Sequence, residues 1–557
     1  MRITANVSLL AILALGWTAA CAAQDRTVEA LPGDPHGQVD AIFAPWSAAD
    51  MPGCAVGISR NGALDYARGY GMANLEHLAP ITQDSVFNVA SVAKQFTAFS
   101  ILLLAQEDKL SLDDDVRKFL PEMPDYGKPL TIGHLMHHTS GLRDQAHLAL
   151  VSGWITDART QGEMLRIITR QRSVNFAPGS EVSYNNSGYN LLAEIVQRVS
   201  GQPLSAFARQ RIFAPLGMAD TQFQENRSKV VRGRADAYGR VEAGPGEAGG
   251  WRKILASSVH YGPGNLLTTV GDLLKWQQNL LDARVGGKDV QRQMLTSGRL
   301  DDGVEIGYGG GLRLQSYRGL ETIGHDGLAD GYRADTVLFP DQNLAISVLC
   351  NNGAAAPDEL SREVAEIYLG ESMRNDIKPA ASASQSAMRA LAGTYWSPVT
   401  DEVIRLEFKD GALRQLGGPA ALVPIGGLTF RDGESTREWS FRRKGADTEL
   451  SVVDFWPTTR VFERVDEPMP TRQTLAALAG RYRSDETETD YVARLDGEKL
   501  VLQWPKQPGM ALEPIGGDRF LSPQGWTVSV VRSADGAAAG LTFTSRRLRR
   551  LRAERMD

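Results

Sequence analysis

Ser91 and Lys94 have the residue types and the spacing of a nucleophile and its base. The apolar run from 89 to 106 predicts a helix, and residues three positions apart share a helix face, so the hydroxyl and the amine can meet. A serine hydroxyl becomes a good nucleophile when a neighbouring base takes its proton, and a desolvated lysine can be that base. The same spacing also fits a surface serine beside a lysine that extends to solvent. Both interpretations stay open on this pair alone.

Tyr184 and Asn186 lie in a loop of turn-forming residues, 176–189, that precedes a helical pattern at 191–199. Two side chains this close on a loop can project into one cleft. The phenol can act as acid or base beside a lysine cation, which would lower its pKa, and the amide can hydrogen-bond to a substrate. The alternative is a tyrosine packed on the surface.

His325 and Gly327 precede the strand-like segments 334–339 and 344–349. We therefore expect them on or beside an edge strand, where small residues let a substrate backbone approach closely.

Three histidines cluster at 134, 137 and 138. Two of them have the i, i+4 spacing of zinc ligands, but the glutamate of a His-Glu-x-x-His motif is missing and no third ligand lies nearby. We predict packing and hydrogen bonding for this cluster, no metal site and no cofactor.

Four motifs occur in order and together resemble the penicillin-recognising serine hydrolases, which include class C β-lactamases, D-alanyl carboxypeptidases, related esterases and D-aminopeptidases. The motifs are Ser91-x-x-Lys94, His-Thr-Ser-Gly-Leu at 138–142, Tyr184-x-Asn186 and His325-x-Gly327. The resemblance implies an α+β domain over residues 36–370. In it a mixed sheet is flanked by helices, an inserted helical region is present, and the serine lies at their junction.

The resemblance also implies roles for individual residues. Ser91 would be the acylated nucleophile, and Lys94 and Tyr184 would transfer protons. Asn186 would hold the substrate, together with the third motif of His325, Gly327 and Leu328. The backbone N–H groups of Ser91 and Leu328 would form the oxyanion hole.

The third motif departs from that of the β-lactamases and carboxypeptidases, which begins with lysine. Lysine is a cation that suits a substrate carboxylate, whereas a histidine such as His325 is mostly neutral at pH 7. We therefore predict weak hydrolysis of penicillins and cephalosporins. Histidine at this place is found in the D-aminopeptidases and in several of the esterases.

The last third of the chain contains an internal duplication. Residues 371–389 have the composition of a linker, and two similar segments follow, predicted as small antiparallel β-barrel domains at 390–467 and 475–557. The matching pieces are 391–395 with 478–482, 410–413 with 496–500, and 424–427 with 514–517.

This architecture is similar to that of D-aminopeptidases, in which a loop of the last barrel reaches the active site. The candidate loop here is 504–510, which offers the cation of Lys506 and no carboxylate for a free amine. The arginine-rich segment 546–552 is predicted to be the exposed edge of a final strand.

Residues 1–23 have the positive start, short apolar centre and small-residue end of a signal peptide, so we expect an exported, periplasmic or secreted protein. Cys21 is a candidate lipid anchor, and plain cleavage after Ala22 or Ala23 is the alternative. No later segment is apolar and long enough to span a membrane. Cys54 and Cys350 lie in strand-like segments, either as two buried thiols or as a disulfide.

The sequence as a whole predicts an exported serine hydrolase that cleaves a small amide or ester in a small-molecule or peptide substrate, most like a D-aminopeptidase. A net charge of −6, from 60 basic and 66 acidic residues, argues against nucleic-acid binding. The alternatives are a carboxylesterase of the same superfamily, and a β-lactam or muropeptide sensor or wall-binding protein without turnover.

Overall fold

The computed structural model describes residues 34–153, 160–242, 249–255, 260–374, 378–418, 421–433, 437–445, 447–453, 456–505 and 508–556. The predicted signal peptide, with Cys21, lies outside the described residues. Among the described helices, none combines the length and the hydrophobicity needed to cross a bilayer.

The N-terminal domain alternates helices and short strands. Its helices are α1 Pro35–Phe43, α2 Lys94–Gln106, α3 Ile132–Met136, α4 Gln145–Val151, α5 Gln161–Thr169, α6 Asn186–Ser200, α7 Leu204–Ala208, α8 Ala214–Leu216, α9 Val270–Asp282, α10 Gly287–Met294 and α11 Pro357–Leu369. Its strands are β1 Cys54–Arg60, β2 Ala63–Tyr70, β3 Met72–Asn74, β4 Ala79–Pro80, β5 Phe87–Asn88, β6 Gln222–Phe223, β7 Ala237–Val241, β8 Gly250–Ile254, β9 Leu266–Thr268, β10 Arg313–Tyr317, β11 Leu320–Ala329, β12 Tyr332–Phe339 and β13 Leu344–Cys350.

The central sheet has the strand order β10-β11-β12-β13-β1-β2. Every pairing in it is antiparallel, so the mixed sheet implied by the resemblance is wrong in this detail, although the α+β class is confirmed. Helix α9 packs on one face, where Val270 lies against Gly57 of β1, and α1 and α11 pack on the other. Because both faces are covered, residues 54–58 of β1 are apolar and buried without interruption.

Cys54 and Cys350 are directly opposite each other in the pairing of β1 with β13, and they form a disulfide. This bond joins the first and last strands of the N-terminal domain, across 296 residues of sequence. The structure therefore favours the bridge over two separate thiols.

Helix α2 is the centre of the helical region beside the sheet. Its residues from Lys94 to Leu104 are all buried, because α6, α7 and α10 surround it. A helix that is covered on all sides needs apolar residues on all sides, which explains the unbroken apolar run in the sequence.

The C-terminal part forms two barrels, each preceded by a short helix. Barrel 1 consists of α12 Gln385–Leu391, β14 Gly393–Trp396, β15 Val403–Lys409, β16 Ala412–Gln415, β17 Ala421–Gly426, β18 Thr429–Asp432, β19 Glu438–Lys444, β20 Asp447–Val453 and β21 Thr459–Arg464. Barrel 2 consists of α13 Arg472–Ala477, β22 Gly480–Ser484, β23 Thr489–Asp496, β24 Lys499–Gln503, β25 Met510–Gly516, β26 Arg519–Leu521, β27 Thr527–Arg532, β28 Ala538–Ser545 and β29 Leu548–Arg555.

The two barrels share details that follow from the duplication. Each one closes by pairing its first strand with its last, and each has a register shift within the repeated Pro-Ile-Gly sequence. In each, a buried tyrosine donates a hydrogen bond to a backbone carbonyl four residues earlier, Tyr395 to Leu391 at 2.8 Å and Tyr482 to Leu478 at 2.7 Å. The two predicted β domains are therefore closed eight-stranded barrels.

Helix α12 begins inside the segment that the sequence suggests is a linker. Ser384 caps its N-terminus, and Met388 and Leu391 are buried in the core of barrel 1. The composition of 371–389 does not predict this helix, because only two of its side chains are buried.

Candidate active site

Ser91 lies in a single 3-10 turn, Ala90–Ala93, that leads into α2. Ala90 has a φ of 46°, a left-handed conformation that residues with a Cβ rarely adopt. The Asn88 side chain accepts a hydrogen bond from the Ala90 N–H at 2.9 Å and holds this turn. The helix predicted from residue 89 thus begins with a constrained turn that fixes the direction of the serine.

Strand β11 packs directly against the Ser91 turn. A Cβ at Gly327 would lie 2.2 Å from the carbonyl oxygen of Val89, so glycine at this position makes room for the turn and not, as predicted, for a substrate backbone. Strand β10 begins at Arg313, opposite Gly324. Beyond Gly324, β11 therefore pairs with β12 on one side and has an open edge on the other, as the sequence predicts. The Leu328 side chain is exposed in this part of the strand.

Lys94 is fully buried, and its Nζ contacts three oxygen atoms. It lies 3.0 Å from Ser91 Oγ, 2.9 Å from Asn186 Oδ1 and 2.8 Å from the Pro263 carbonyl oxygen. Burial, and secondarily the positive charge of Arg547, lower the pKa of Lys94 well below its ordinary value. A neutral amine has two N–H groups and one lone pair. Because the two carbonyl oxygens can only accept, they take the N–H groups, and the lone pair is left for the Ser91 hydroxyl.

The Tyr184 ring lies 4.7 Å from Lys94 Nζ. Its hydroxyl is shielded from solvent and has no partner in hydrogen-bonding geometry among the described residues. Burial raises the pKa of Tyr184, and the nearby Ser91 hydroxyl opposes this only in part. The predicted lowering of this pKa is wrong, because burial disfavours a phenolate and outweighs the positive charges of Arg547 and Arg313. Tyr184 is thus a neutral phenol that can donate a proton.

Asn186 is the first residue of α6, where two neighbours hold it. The Asn185 side chain caps the helix, accepting from the Gly188 N–H at 2.9 Å, and the buried Asp144 accepts from the Asn186 N–H at 2.8 Å. The side-chain oxygen of Asn186 is occupied by Lys94. Its amide nitrogen is therefore the atom that remains for the predicted hydrogen bond to a substrate.

His325 is buried and neutral. Its Nε2 lies 3.1 Å from the Tyr308 hydroxyl, and its Nδ1 lies 2.5 Å from the Asp326 carbonyl oxygen. Burial, together with the charge of Arg313, lowers the pKa of His325. The third motif therefore supplies no cation, in agreement with the histidine chemistry argued from the sequence.

The structure brings most of the predicted site residues together. Lys94 contacts Ser91 and Asn186, its Nζ faces the Tyr184 ring, and the rings of Tyr184 and His325 are 6.0 Å apart. Gly327 and Leu328 follow on the strand that packs against the nucleophile turn.

The resemblance implies that a loop of the last barrel reaches the active site, and the structure shows that both barrels reach it. Trp456, in the hairpin between β20 and β21, lies with its ring 5.8 Å from that of Tyr308. Arg547, in the hairpin between β28 and β29, lies with its guanidinium 4.7 Å from the centre of the Tyr184 ring. No motif marks Trp456, and Arg547 lies in the arginine-rich segment that the sequence assigns to an exposed strand edge.

The arginine-rich segment is not an exposed strand edge. Strand β29 pairs with both β28 and β22 in the closed barrel, so it has no free edge. Arg549 is buried and forms an ion pair with Glu181 of the N-terminal domain at 2.9 Å.

The segment 504–510 is not the barrel segment found beside Tyr184. Trp504 packs inside barrel 2 against Tyr491, and Pro505 lies against Gly153 after the end of α4. Lys506 lies outside the described residues. The contact with the Tyr184 ring comes instead from the hairpin that follows β28.

Comparison with known proteins agrees with this geometry. A family model described as Beta-lactamase matches residues 26–369. A D-aminopeptidase from Cereibacter sphaeroides is 27% identical over 541 residues, which cover 93% of this chain and 96% of the relative. A D-aminopeptidase from Gluconobacter oxydans is 27% identical over 444 residues, covering 78% and 80%.

Two solved structures share the fold. A penicillin-binding protein homologue from Pyrococcus abyssi has a TM-score of 0.55 at 21% identity, and covers 84% of this chain and 98% of its own. The D-amino acid amidase from Ochrobactrum anthropi SV3 has a TM-score of 0.51 at 24% identity, and covers 61% of this chain and 100% of its own. The chain therefore belongs to the Beta-lactamase family and is a serine hydrolase.

Proposed function

We propose that this protein is an exported, D-aminopeptidase-like hydrolase that cleaves a small amide through an acyl-enzyme on Ser91. The observation that carries the proposal is the environment of Lys94. The buried Nζ lies 2.9 Å from Asn186 Oδ1, 2.8 Å from the Pro263 carbonyl oxygen and 3.0 Å from Ser91 Oγ. In a neutral amine the first two oxygens take the N–H groups, and the lone pair faces the Ser91 hydroxyl.

The proposed reaction has two steps. In the first, Lys94 takes the Ser91 hydroxyl proton, Oγ bonds to the substrate carbonyl carbon, and the C–N bond breaks. The leaving nitrogen receives a proton from Tyr184, which is reprotonated by Lys94. In the second, water adds to the ester and loses its proton to Lys94. The ester C–O bond then breaks and Ser91 regains its proton.

The D-aminopeptidase assignment is supported by the architecture. The Cereibacter sphaeroides relative aligns over 93% of this chain, a span that includes sequence from both barrels. A neutral His325 also fits weak activity on β-lactams, because their carboxylate finds no cation in the third motif.

A carboxylesterase is the second candidate, favoured by the charges at the site. Asp326 lies beside His325, but it is already paired with Arg313, and Asp144 is buried. Neither carboxylate is available to hold the free amine of an aminopeptidase substrate, whereas an ester needs no such partner.

The test compares D-alanine p-nitroanilide with p-nitrophenyl acetate on the purified protein. We expect turnover of the anilide, loss of at least about a thousandfold in kcat/KM in Ser91→Ala, and an acyl group on Ser91 by mass spectrometry. Ser100→Ala is the matched control, since Ser100 lies in the same helix and donates to the Phe96 carbonyl. Turnover of the ester alone would favour the esterase. A stoichiometric burst without turnover would favour a sensor.

Export is tested separately by the N-terminal sequence of the protein recovered from its host. We expect the mature chain to begin at Cys21 with a diacylglyceryl group if that cysteine is the anchor, and at residue 23 or 24 if cleavage follows Ala22 or Ala23.

A further inference from the structure

Arg547 is a charged residue at the site, and the proposed reaction does not use it. Its guanidinium lies 4.7 Å from the centre of the Tyr184 ring, and its positive charge contributes to the lowered pKa values of Lys94 and His138. The side chain is partly exposed. It can therefore contact both the catalytic groups and a molecule that enters from solvent.

The hairpin that carries Arg547 is fixed to the N-terminal domain. The Arg547 carbonyl oxygen accepts from the Asp144 N–H at 3.1 Å and from the Asn175 side chain at 3.2 Å. Ser545, in the same hairpin, lies 2.7 Å from His147 Nδ1. These bonds hold the hairpin backbone beside the residues that position Asn186, so the arginine is a built part of the cavity.

Arg547 differs from Arg549 and Arg552 in its charge partners, because the buried Asp144 interacts with its charge only from beyond ion-pair distance. Arg549 pairs with Glu181, and Arg552 pairs with Glu554. Within the parts of the chain that the structure describes, no carboxylate lies within ion-pair distance of the Arg547 guanidinium. A half-buried cation without a partner is unfavourable in the free protein. This cost is offset when an anion binds.

The other cations of the site are neutralised, so the charge of Arg547 remains available. Burial lowers the pKa values of Lys94 and His325, and Arg313 is paired with Asp326. A guanidinium can also grip a carboxylate with two parallel hydrogen bonds. An incoming carboxylate is thus the chemical group that this part of the cavity is suited to receive.

We propose that Arg547 binds a carboxylate on the leaving group of the substrate. The position follows from Tyr184, which passes a proton to the leaving nitrogen and whose ring centre lies 4.7 Å from the Arg547 guanidinium. The preferred leaving group is then an amino acid with a free carboxylate, as in a dipeptide. This inference deepens the proposed function and rests on it. The proposed role of Tyr184 as proton donor to the leaving nitrogen is what places Arg547 on the leaving-group side of the scissile bond.

The kinetic test uses D-alanyl-glycine and D-alanyl-glycinamide, which differ only in the terminal carboxylate. A charge-assisted hydrogen bond contributes about 1.5–3 kcal/mol, so we expect Arg547→Gln to lower kcat/KM for D-alanyl-glycine by about 10- to 100-fold, mainly through KM. On the pH plateau above the acidic limb, the glycinamide should be cleaved as before, which also shows that the variant folds. Arg547→Lys should restore part of the loss, because the charge returns without the planar fork.

Arg546→Gln is the matched control. Arg546 is the neighbouring exposed arginine of the same hairpin, and it lines the cleft between the two barrels. It should leave both rates unchanged. Equal rates for the two substrates in the unmodified protein, or an equal loss with both in Arg547→Gln, would overturn the carboxylate site.

A binding measurement separates this proposal from the proposed function. D-alanyl-glycine and D-alanyl-glycinamide are titrated into Ser91→Ala by ligand-observed NMR, with and without Arg547→Gln. Tighter binding of the carboxylate, lost in Arg547→Gln, supports the site even if the active protein cleaves neither substrate. Cleavage of both substrates with no preference upholds the proposed function and rejects the site. Absence of binding by either ligand also rejects it.

Discussion

The two barrels derive from one duplicated sequence, yet they supply different chemistry to the same cavity. The last hairpin of each barrel points to the site, with Trp456 against Tyr308 in barrel 1 and Arg547 against Tyr184 in barrel 2. The closure of the barrels and the positions of their register shifts are alike. The scaffold is therefore shared, and the side chain at the tip of each hairpin makes the difference.

The barrels also differ in how they are attached. Barrel 2 shares one continuous hydrophobic core with the N-terminal domain, and a buried ion pair of 2.9 Å joins Arg143 to Glu486. Barrel 1 has a separate core and meets barrel 2 through polar contacts: the buried Asp401 accepts from Ser529 and Thr544, and Arg405 pairs with the largely exposed Glu513. Barrel 2 thus continues the hydrophobic core of the N-terminal domain, whereas barrel 1 is joined to barrel 2 mainly by polar contacts.

The largest expected effect of this difference is on stability. Glu486→Ala leaves Arg143 buried without its counter-ion, and we expect the free energy of unfolding to fall by about 3 kcal/mol. Glu513→Ala removes the exposed pair and should change it by less than about 1 kcal/mol. Urea denaturation measures both values. Similar losses in the two variants would remove the distinction between the barrels.

A smaller effect is expected from the aromatic tip of barrel 1. Trp456 packs on Tyr308, whose hydroxyl contacts His325, and an aromatic pair contributes about 0.5–1.5 kcal/mol. Trp456→Ala should therefore lower kcat/KM for a p-nitrophenyl ester by about two- to tenfold, and Trp456→Phe should lose less. An unchanged kcat/KM in Trp456→Ala would show that the contact from barrel 1 does not contribute to catalysis.

The smallest expected effect is a shift in pH dependence. Lys94 acts as a base only when neutral, so its pKa sets the acidic limb of the profile of kcat/KM against pH. Burial is the main cause of its low pKa, and the charge of Arg547 adds to it. In Arg547→Gln the pKa of Lys94 rises, and the acidic limb should move to higher pH with p-nitrophenyl acetate as substrate. Arg546→Gln should show no movement.

The catalytic motifs can be predicted from the sequence because their residues are close together in the chain. Ser91 and Lys94 are one helical turn apart, and Tyr184 and Asn186 lie on one loop, so local spacing is enough to propose each pair. The duplication is readable for the same reason, since repeated turns and prolines recur at a regular distance. The α+β domain and the two β domains followed from these signals.

The parts that escaped prediction depend on how the domains dock. Arg547 stands in an arginine-rich strand that suggests an exposed edge, and only the closed barrel and its position beside Tyr184 show otherwise. The raised pKa of Tyr184 escapes sequence-based prediction because composition does not reveal the burial that outweighs the nearby positive charges. Gly327 was assigned to substrate approach, whereas the Ser91 turn occupies that space.

The central claim is that Lys94 is an uncharged amine whose lone pair faces Ser91. The most direct measurement is an NMR titration of protein labelled at the lysine side-chain carbon and nitrogen atoms, with the Lys94 signal assigned by its loss in Lys94→Met. We predict a signal typical of a neutral amine at pH 8, and a pKa far below that of the surface lysines. A Lys94 signal that stays protonated and titrates with the surface lysines would contradict the account.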